Sequence, residues 1–318
     1  MQEEDGWTTA ARFAAAAIIP PFIGFALVYL GAVILGDYGW VMFVLLPVFL
    51  GFASAVLFDP KGEKGYGKCF LAGLSSLASI GFLIIVWAVE GLICLVMVLP
   101  IAVPLMTVGS LCGWALTRYL RTQRNALAIV AIFFLVMPFA MGFEASNKST
   151  PTLHEVVSTV EIDAPIETVW KNVIEFPQIN AAPEGILNLG FAYPINARID
   201  GMGIGAMRYC NFNTGPFVEP ITAWQEPNLL AFDVKEQPAP MVELSPYKDL
   251  HTSHLQYIRS QKGQFRLYEK DGKTVVEGTT FYTHDIAPDI YWNLYSDEII
   301  HQIHMRVLNH IKVVSEKK

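Results

Sequence analysis

The hydrophobic pattern of the chain changes near residue 144. Before this point apolar residues run almost without interruption, and after it apolar and polar positions alternate as in strands or recur at helical spacing. A helix needs about 20 apolar residues to cross the hydrocarbon core of a bilayer. The pattern therefore predicts a transmembrane helical domain over residues 1–143, a linker over 144–154 and a water-soluble domain over 155–318.

The first half contains enough continuous apolar sequence for about five membrane spans. We predict them at 13–35, at 40–58, in two arms within 69–116 that turn at Glu90-Gly91, and at 126–143. The stretch 69–116 is too long for one crossing, because at about 1.5 Å per residue it would be roughly twice as long as a bilayer is thick. The first stretch follows three acidic residues rather than a basic region, so we interpret it as an anchor and not as a signal peptide.

The basic residues of the loops predict how the spans are oriented. They lie in only two of the four connections: Lys61, Lys64 and Lys68 between spans two and three, and Arg118, Arg121 and Arg124 between spans four and five. The positive-inside rule places these loops in the cytoplasm, together with the N-terminus beside Arg12. Five spans then place the C-terminal domain outside the cytoplasm, and a count wrong by one span would reverse this orientation. We expect a multi-pass integral membrane protein.

Charge excludes several classes of function. Up to Phe143 the basic and acidic residues balance, so the formal net charge of −7 belongs to the rest of the chain. An acidic domain repels phosphate backbones, and we expect no nucleic-acid partner. The predicted spans contain no His, Lys or Arg and no central carboxylate, groups that ion pathways, proton relays and haem ligation need. The pattern is therefore not typical of a transporter or a b-type cytochrome.

The second half predicts an α+β fold. The expected order is a strand at 155–162, a helix after Asp163-Ala164-Pro165 with Asp163 as its cap, a short helix or turn at 178–182, six strands between 191 and 283, and a helix at 288–314. Asp271-Gly272 predicts a hairpin turn between the last two strands. One curved antiparallel sheet around the C-terminal helix is the economical way to bury the apolar faces of these elements.

Residues 160–170, with the sequence VEIDAPIETVW, resemble the opening of the START-like superfamily, also called SRPBCC or the polyketide cyclase/dehydrase and lipid transport family. That opening is a strand, the pattern I-x-A-P-x-x-x-V-W, and a helix. The runs 203–208 and 221–232 are similar to the glycine-rich hairpin and the later strand pair of the family. The resemblance covers about residues 155–315 and implies a helix-grip fold, in which the sheet and the last helix enclose an elongated apolar cavity.

The resemblance also implies a choice of functions. Members of the superfamily bind hydrophobic ligands such as lipids, quinones or polyketides, and a minority are enzymes. The insert at about 237–260 and the fused spans depart from the short members, so no particular substrate is implied. Three hypotheses stay open: a membrane-anchored protein that binds or transfers a hydrophobic ligand, an enzyme of the cyclase, dehydratase or hydrolase kind, and a non-catalytic module whose spans engage another membrane protein. The expected partners are the lipid bilayer and a hydrophobic small molecule.

Two pairs of histidines carry the candidate chemistry. His251 and His254 lie in the insert, and His301 and His304 lie on the last helix, where positions i and i+3 share one face. His301 and His304 could relay a proton, and chelation of a metal is the weaker alternative. His251 and His254 would join them if the insert folded over the cavity mouth. The ordinary alternative is polar or capping histidines. No HExxH motif and no CxxC motif occur, so we expect no metal and no cofactor.

Five further residues are candidates for ligand binding. Arg208 and Arg266 lie in predicted strands and could bind the polar head group of a ligand, and the alternative is that they are solvated on the convex face. Tyr282, Trp292 and Tyr295 could line the cavity, and the alternative is that they pack in the core.

Overall fold

The computed structural model describes residues 2–120, 123–148, 150–247, 250 and 258–317. They form two compact units. The first comprises residues 1–149, 243–253 and 286–288, and the second comprises 150–242, 254–285 and 289–318. Two short segments from the second half of the chain therefore belong to the first unit. The domain limits drawn from the sequence stay a prediction.

The first unit is helical. Its elements are α1 (Gln2–Val28) with a π-helical continuation (Tyr29–Leu35), a π-helical turn (Val41–Leu45) leading into α2 (Leu46–Phe58), α3 (Tyr66–Val86), α4 (Leu92–Leu120) and α5 (Gln123–Ser146). Five helices are long and apolar enough to cross a membrane: Thr8–Leu35, Val41–Phe58, Tyr66–Val86, Leu92–Tyr119 and Ala128–Ser146. The five apolar helices are confirmed, including the turn between α3 and α4 at residues 87–91.

Helices α2 and α4 approach each other until their backbones touch. A Cβ atom built on Gly51 would lie 2.0 Å from the carbonyl oxygen of Met106, and one built on Gly109 would lie 2.0 Å from the carbonyl oxygen of Val48. No side chain fits at such distances, because close approach of two backbones needs residues without a Cβ. Gly113, in the G-x-x-x-G pair with Gly109, faces the carbonyl oxygen of Phe52 in the same contact.

The second unit is one antiparallel sheet with helices. Its elements are β1 (Leu153–Ile162), α6 (Ile166–Ile174), a 3₁₀ helix (Gly185–Leu189), β2 (Pro194–Asp200), β3 (Met207–Phe212), β4 (Gly215–Gln225), β5 (Leu229–Asp233), β6 (Ile258–Lys270), β7 (Lys273–His284) and α7 (Asp289–Ser315). The strand order is β1-β7-β6-β5-β4-β3-β2. Asp271 and Gly272 both adopt positive φ in the two-residue turn between β6 and β7, as predicted.

The core of the second unit lies between the sheet, α6 and α7. Trp170, Leu230, Val276, Leu308 and Ile311 are almost completely buried there. Strand β1 alternates exposed and buried positions along its length, as expected for a sheet with one covered face. The predicted α+β helix-grip fold is confirmed.

Two details of the predicted helices differ in the structure. The sequence predicts a short helix or turn near 178–182, and the short helix of this region lies instead at Gly185–Leu189, as a 3₁₀ helix. Phe176 forms a bridge with Ala197 of β2, and the amide of Ile179 donates to Ile195, so this stretch is held as extended chain. The cap of α6 is Pro165, with no side-chain hydrogen bond, and not Asp163.

Candidate functional site

A cavity of about 100 Å³ lies between α7 and the concave face of the sheet. Most of its wall is apolar: Phe212, Phe217, Val234, Phe232, Phe265, Ile300, Ile303 and Val307. An engineered cavity of about 150 Å³ binds benzene, and sites for drug-sized ligands usually enclose about 300–1,000 Å³. In this conformation the cavity therefore has room only for a very small molecule or one end of a larger one.

Helical spacing brings α7 to this wall. Ile300, Ile303, His304 and Val307 recur at intervals of three and four residues, so they lie on one face of the helix and meet the sheet together. The same face carries His301 one turn before His304. The histidine pair predicted from the i, i+3 spacing thus reaches the interior between helix and sheet.

The two histidines share one hydroxyl partner. Ser158 of β1 places its Oγ 2.8 Å from Nδ1 of His301 and 3.1 Å from Nδ1 of His304. On the other side of the ring, Nε2 of His304 lies 2.7 Å from Oγ1 of Thr280 in β7. The result is a continuous chain of hydrogen bonds from His301 through Ser158 and His304 to Thr280 at the cavity wall.

This chain can run in two directions. A hydroxyl has one hydrogen, so Ser158 donates to one imidazole and accepts from the other. If it donates to His301, the Nδ1 of His304 carries a hydrogen and its Nε2 accepts from Thr280. The opposite tautomers reverse all three bonds. By switching tautomers, the arrangement can therefore move a proton between His301 and the cavity. Both imidazoles are neutral before and after the switch.

Burial first, and the neighbouring His301 second, lower the pKa of His304 to about 4. Its imidazole is therefore neutral near pH 7. A general base works best when its pKa is close to the operating pH, so His304 is a poor base there. As a neutral ring it accepts one hydrogen bond and donates another, which suits the recognition of a polar group on a ligand.

A buried ion pair forms another part of the cavity wall. Arg208 of β3 and Glu219 of β4 are direct neighbours across the two strands, and the Nη1 of Arg208 pairs with Oε2 of Glu219. The Nε of Arg208 donates to the carbonyl oxygen of Ile174 at 3.0 Å. Its guanidinium lies 5.5 Å from the ring centres of Phe232 and Phe265. Burial raises the pKa of the Glu219 carboxyl, and the Arg208 charge opposes that rise.

Arg208 thus lies where the sequence predicted a head-group contact, but with its main hydrogen bonds already made. Arg266 does not reach the cavity. It is exposed on β6 beside the ring of Tyr268, because strand residues alternate in direction and the preceding Phe265 points inward. The head-group contact expected of Arg266 stays a prediction, and its side chain lies outside this cavity.

The three aromatic candidates do not line this cavity, among the residues that the structure describes. Tyr282 is completely buried and donates to Oδ1 of Asp297 at 2.6 Å. Trp292 packs edge-on against Tyr291, with ring centres 5.3 Å apart, and beside Tyr295 at 6.1 Å. Their role in ligand binding stays a prediction. His251 and His254 lie outside the described residues.

The sequence did not single out the partners of the histidines. Ser158 is 3% exposed and lies on the same face of β1 as three apolar residues, so a hydroxyl in that apolar row was the available signal. The sequence analysis also missed a second cluster of polar side chains. The rings of His154 and His284 stack with centres 5.2 Å apart, and Nε2 of His284 lies 2.5 Å from Oδ1 of Asn293. Both groups connect α7 to the sheet.

Metal ligation has one geometric candidate among the described residues of the first unit. Glu90, Cys94 and Glu243 each place a possible ligand atom within 4.8 Å of the others. The thiol of Cys94 donates to Glu243 at 2.8 Å, and Tyr38 donates to Glu90 at 2.5 Å. A cation bound at Sγ would have to displace the thiol hydrogen of Cys94. His301 and His304 could chelate a metal through Nδ1 only by giving up their bonds to Ser158, and His304 could use Nε2 only by giving up its bond to Thr280.

No family model and no curated protein matches the chain. Among solved structures it is similar to a protein from Nitrosospira multiformis, with 19% identity over 52% of this chain and 97% of that one and a TM-score of 0.35. It is also similar to truncated norcoclaurine synthase from Thalictrum flavum, with 13% identity over 54% of this chain and 99% of that one and a TM-score of 0.34. A third similar structure is Zhui aromatase/cyclase from Streptomyces sp. R1128, with 14% identity over 52% of this chain and 94% of that one and a TM-score of 0.33. At these identities the similarity concerns the fold alone.

Proposed function

We propose that the C-terminal unit binds a hydrophobic small molecule between α7 and the sheet, and that the five apolar helices anchor it in a membrane. The observation that supports this proposal is the partly open cavity between the sheet and α7, whose wall is mostly apolar and includes several polar groups. Ligand sites have this composition, because apolar surface gives affinity and single polar groups fix orientation. The ligand class is a lipid, a quinone or a polyketide-like molecule.

A ligand of that size requires α7 to move. The first half of the helix is attached to the sheet by polar contacts, from Asn293 to His284, from Asp297 to Tyr282, and from His301 and His304 to Ser158. The second half is held by Val307, Leu308 and Ile311 in the core. A hydrogen bond exchanged for water costs about 1 kcal/mol net, whereas exposing a buried Leu or Ile costs about 1.5–3 kcal/mol. The helix is therefore expected to open at its first half, where Trp292 is the buried apolar side chain that opening would expose.

Filling the cavity is expected to remove the ligand. Ile303→Phe places a larger side chain in the wall, so the amount of retained molecule should fall about tenfold, which corresponds to about 1.4 kcal/mol of binding free energy. The measurement is mass spectrometry of small molecules released from the purified full-length chain. Because the new ring enters existing space, the loss of stability should stay within the 1–3 kcal/mol typical of overpacking, about 1 kcal/mol here.

Val313→Phe is the matched control, because Val313 lies on the same helix but is 54% exposed. It should retain as much ligand as the unmodified chain. A full-length chain that retains no molecule at all, or equal retention in the two variants, would contradict the proposal.

An enzyme acting on a similar ligand is the second candidate, favoured by the hydrogen-bond chain from His301 to Thr280. Catalysis would require the bound molecule to exchange a proton at Thr280 or His304. The same mass spectra separate the two candidates. A binding protein releases a molecule of unchanged mass from a His304→Gln variant, whereas an enzyme releases the accumulated substrate in place of product. An interaction module without a ligand is left if no variant releases anything, and co-purification from mild detergent then tests for a membrane-protein partner.

We also propose the orientation that the loop charges predict: a multi-pass protein with a cytoplasmic N-terminus and the C-terminal unit on the opposite side. Five helices of sufficient length support an odd number of crossings. An epitope tag after Lys318 should then be digested by protease added to intact cells, and a tag before Met1 should be protected. The reverse pattern would overturn this orientation. The proposed partners are the bilayer and the small molecule, and we propose no nucleic-acid partner because the formal net charge of the chain is −7.

A further inference from the structure

We infer that the first turns of α7 contact the surface of the lipid bilayer through Ile290 and Leu294, an inference that rests on the proposed membrane anchoring. These side chains are 80% and 69% exposed. They lie one helical turn apart, so they project from the same face of α7. Single exposed apolar residues are common on protein surfaces, and the position of this pair in the chain is what distinguishes it.

The segment that precedes α7 belongs to the helical unit. Residues 286–288 group with it, Ile286 forms a bridge with Tyr38, and the amide of Ala287 donates to the carbonyl oxygen of Tyr38 at 2.8 Å. Tyr38 lies in the connection between the first two apolar helices, which is a membrane–water boundary if those helices span a bilayer. Helix α7 begins at Asp289, the next residue, so its first turn is covalently attached at that boundary.

A second covalent link fixes the same end of the sheet. Helix α5 ends at Ser146 and β1 begins at Leu153, and so short a connection reaches at most about 24 Å when fully extended. Leu153 pairs with Thr283, near the end of β7. The start of β1 and the start of α7 therefore lie at one end of the second unit, and these chain connections to the helical unit leave from that end. If the helical unit spans a bilayer, chain connectivity keeps lipid near Ile290 and Leu294, and a soluble partner would have to compete with it.

The composition of these turns fits a membrane boundary. Tyr291 and Tyr295 lie on the same two turns and are partly exposed, and tyrosines concentrate where one end of a side chain is in lipid and the other in water. The first half of α7 is also the part that must move to admit a ligand. A lipid contact there would place the opening of the cavity beside the bilayer, so a hydrophobic molecule could enter without crossing water.

Photo-crosslinking tests the contact directly. The photoreactive residue p-benzoylphenylalanine replaces Ile290 or Leu294 in the full-length chain, which is reconstituted into phosphatidylcholine vesicles and irradiated. Met202 and Ile204 are matched control positions, because they are apolar, 84% and 73% exposed, and lie in the β2–β3 hairpin. Strand β2 runs parallel to β1 in this sheet, so that hairpin is at the end opposite the start of α7.

Mass spectrometry should find at least about fivefold more lipid adduct at positions 290 and 294 than at 202 and 204. Equal adduct at all four positions, or adducts to a second copy of the chain instead of lipid, would overturn the inference. Ligand retention is measured separately on the same preparations. A chain that forms the lipid adducts but retains no small molecule contradicts the proposed function and leaves the membrane contact standing.

Discussion

Replacing Arg208 by methionine is expected to destabilise the second unit by about 3–5 kcal/mol. Both members of the Arg208–Glu219 pair are almost fully buried, with side chains 2% and 7% exposed. Without the guanidinium, Glu219 must either hold an unpaired charge in an apolar wall or take up a proton that its usual pKa does not favour at pH 7. The carbonyl oxygen of Ile174 would lose its donor as well.

The measurement is a denaturant titration of the full-length chain in detergent, followed by tryptophan fluorescence. Two controls separate the lost charge from lost packing. The double replacement Arg208→Met/Glu219→Leu should recover most of the stability, because an apolar pair of similar volume avoids desolvating two charges. Arg198→Met removes an exposed pair with Asp200 and should change the free energy of unfolding by less than about 1 kcal/mol. If the single and double replacements at Arg208 were equally unstable, the ion pair would not be the cause.

Gly51→Val is expected to prevent α2 and α4 from packing and to cost at least about 3 kcal/mol. The added Cβ would lie 2.0 Å from the carbonyl oxygen of Met106 and 2.8 Å from the amide nitrogen of Ser110. Both obstacles are backbone atoms of a regular helix, which cannot rotate away as a side chain could. The helices would have to separate and give up the contact along their whole length.

Size-exclusion chromatography in mild detergent measures the result as the fraction of chain that elutes as a single folded species. Gly142→Val is the matched control, because it puts the same side chain on α5 at a position with nothing within 4 Å of its Cβ. That variant should behave as the unmodified chain. Equal yields from the two variants would show that the backbone contact does not hold the helices together.

The fold was predictable because its elements carry their own periodicity. The alternation along β1 and the apolar stripe of α7 are local patterns, and both elements lie within a few residues of the predicted bounds. Of the helix or turn predicted near 178–182, the helix does not form, for a non-local reason. The segment pairs with β2 through Phe176 and Ala197, and the sequence of the segment alone does not predict that pairing.

The candidate site was predictable only in part. The spacing of His301 and His304 placed them on one face of α7, but their shared partner Ser158 comes from a strand at the other end of the domain sequence. Contacts of that kind depend on how the helix lies on the sheet. The two arginines show the same limit. Both lie in predicted strands, and the sequence does not say which of them lies on the concave face of the sheet; the structure places Arg208 at the cavity and Arg266 outside it.

The sheet order has a consequence for synthesis on the ribosome. Strand β1 lies at the edge of the sheet that the described residues form and pairs with β7, and α7 is the next element after β7. Strand β1 is synthesised first in this unit, but its partner β7 is the last strand. The inner face of β1 therefore stays uncovered in the nascent chain until β7 and α7 have emerged from the ribosome. If the apolar helices insert as they are made, they are in place before β7 and α7 have closed the core of the second unit.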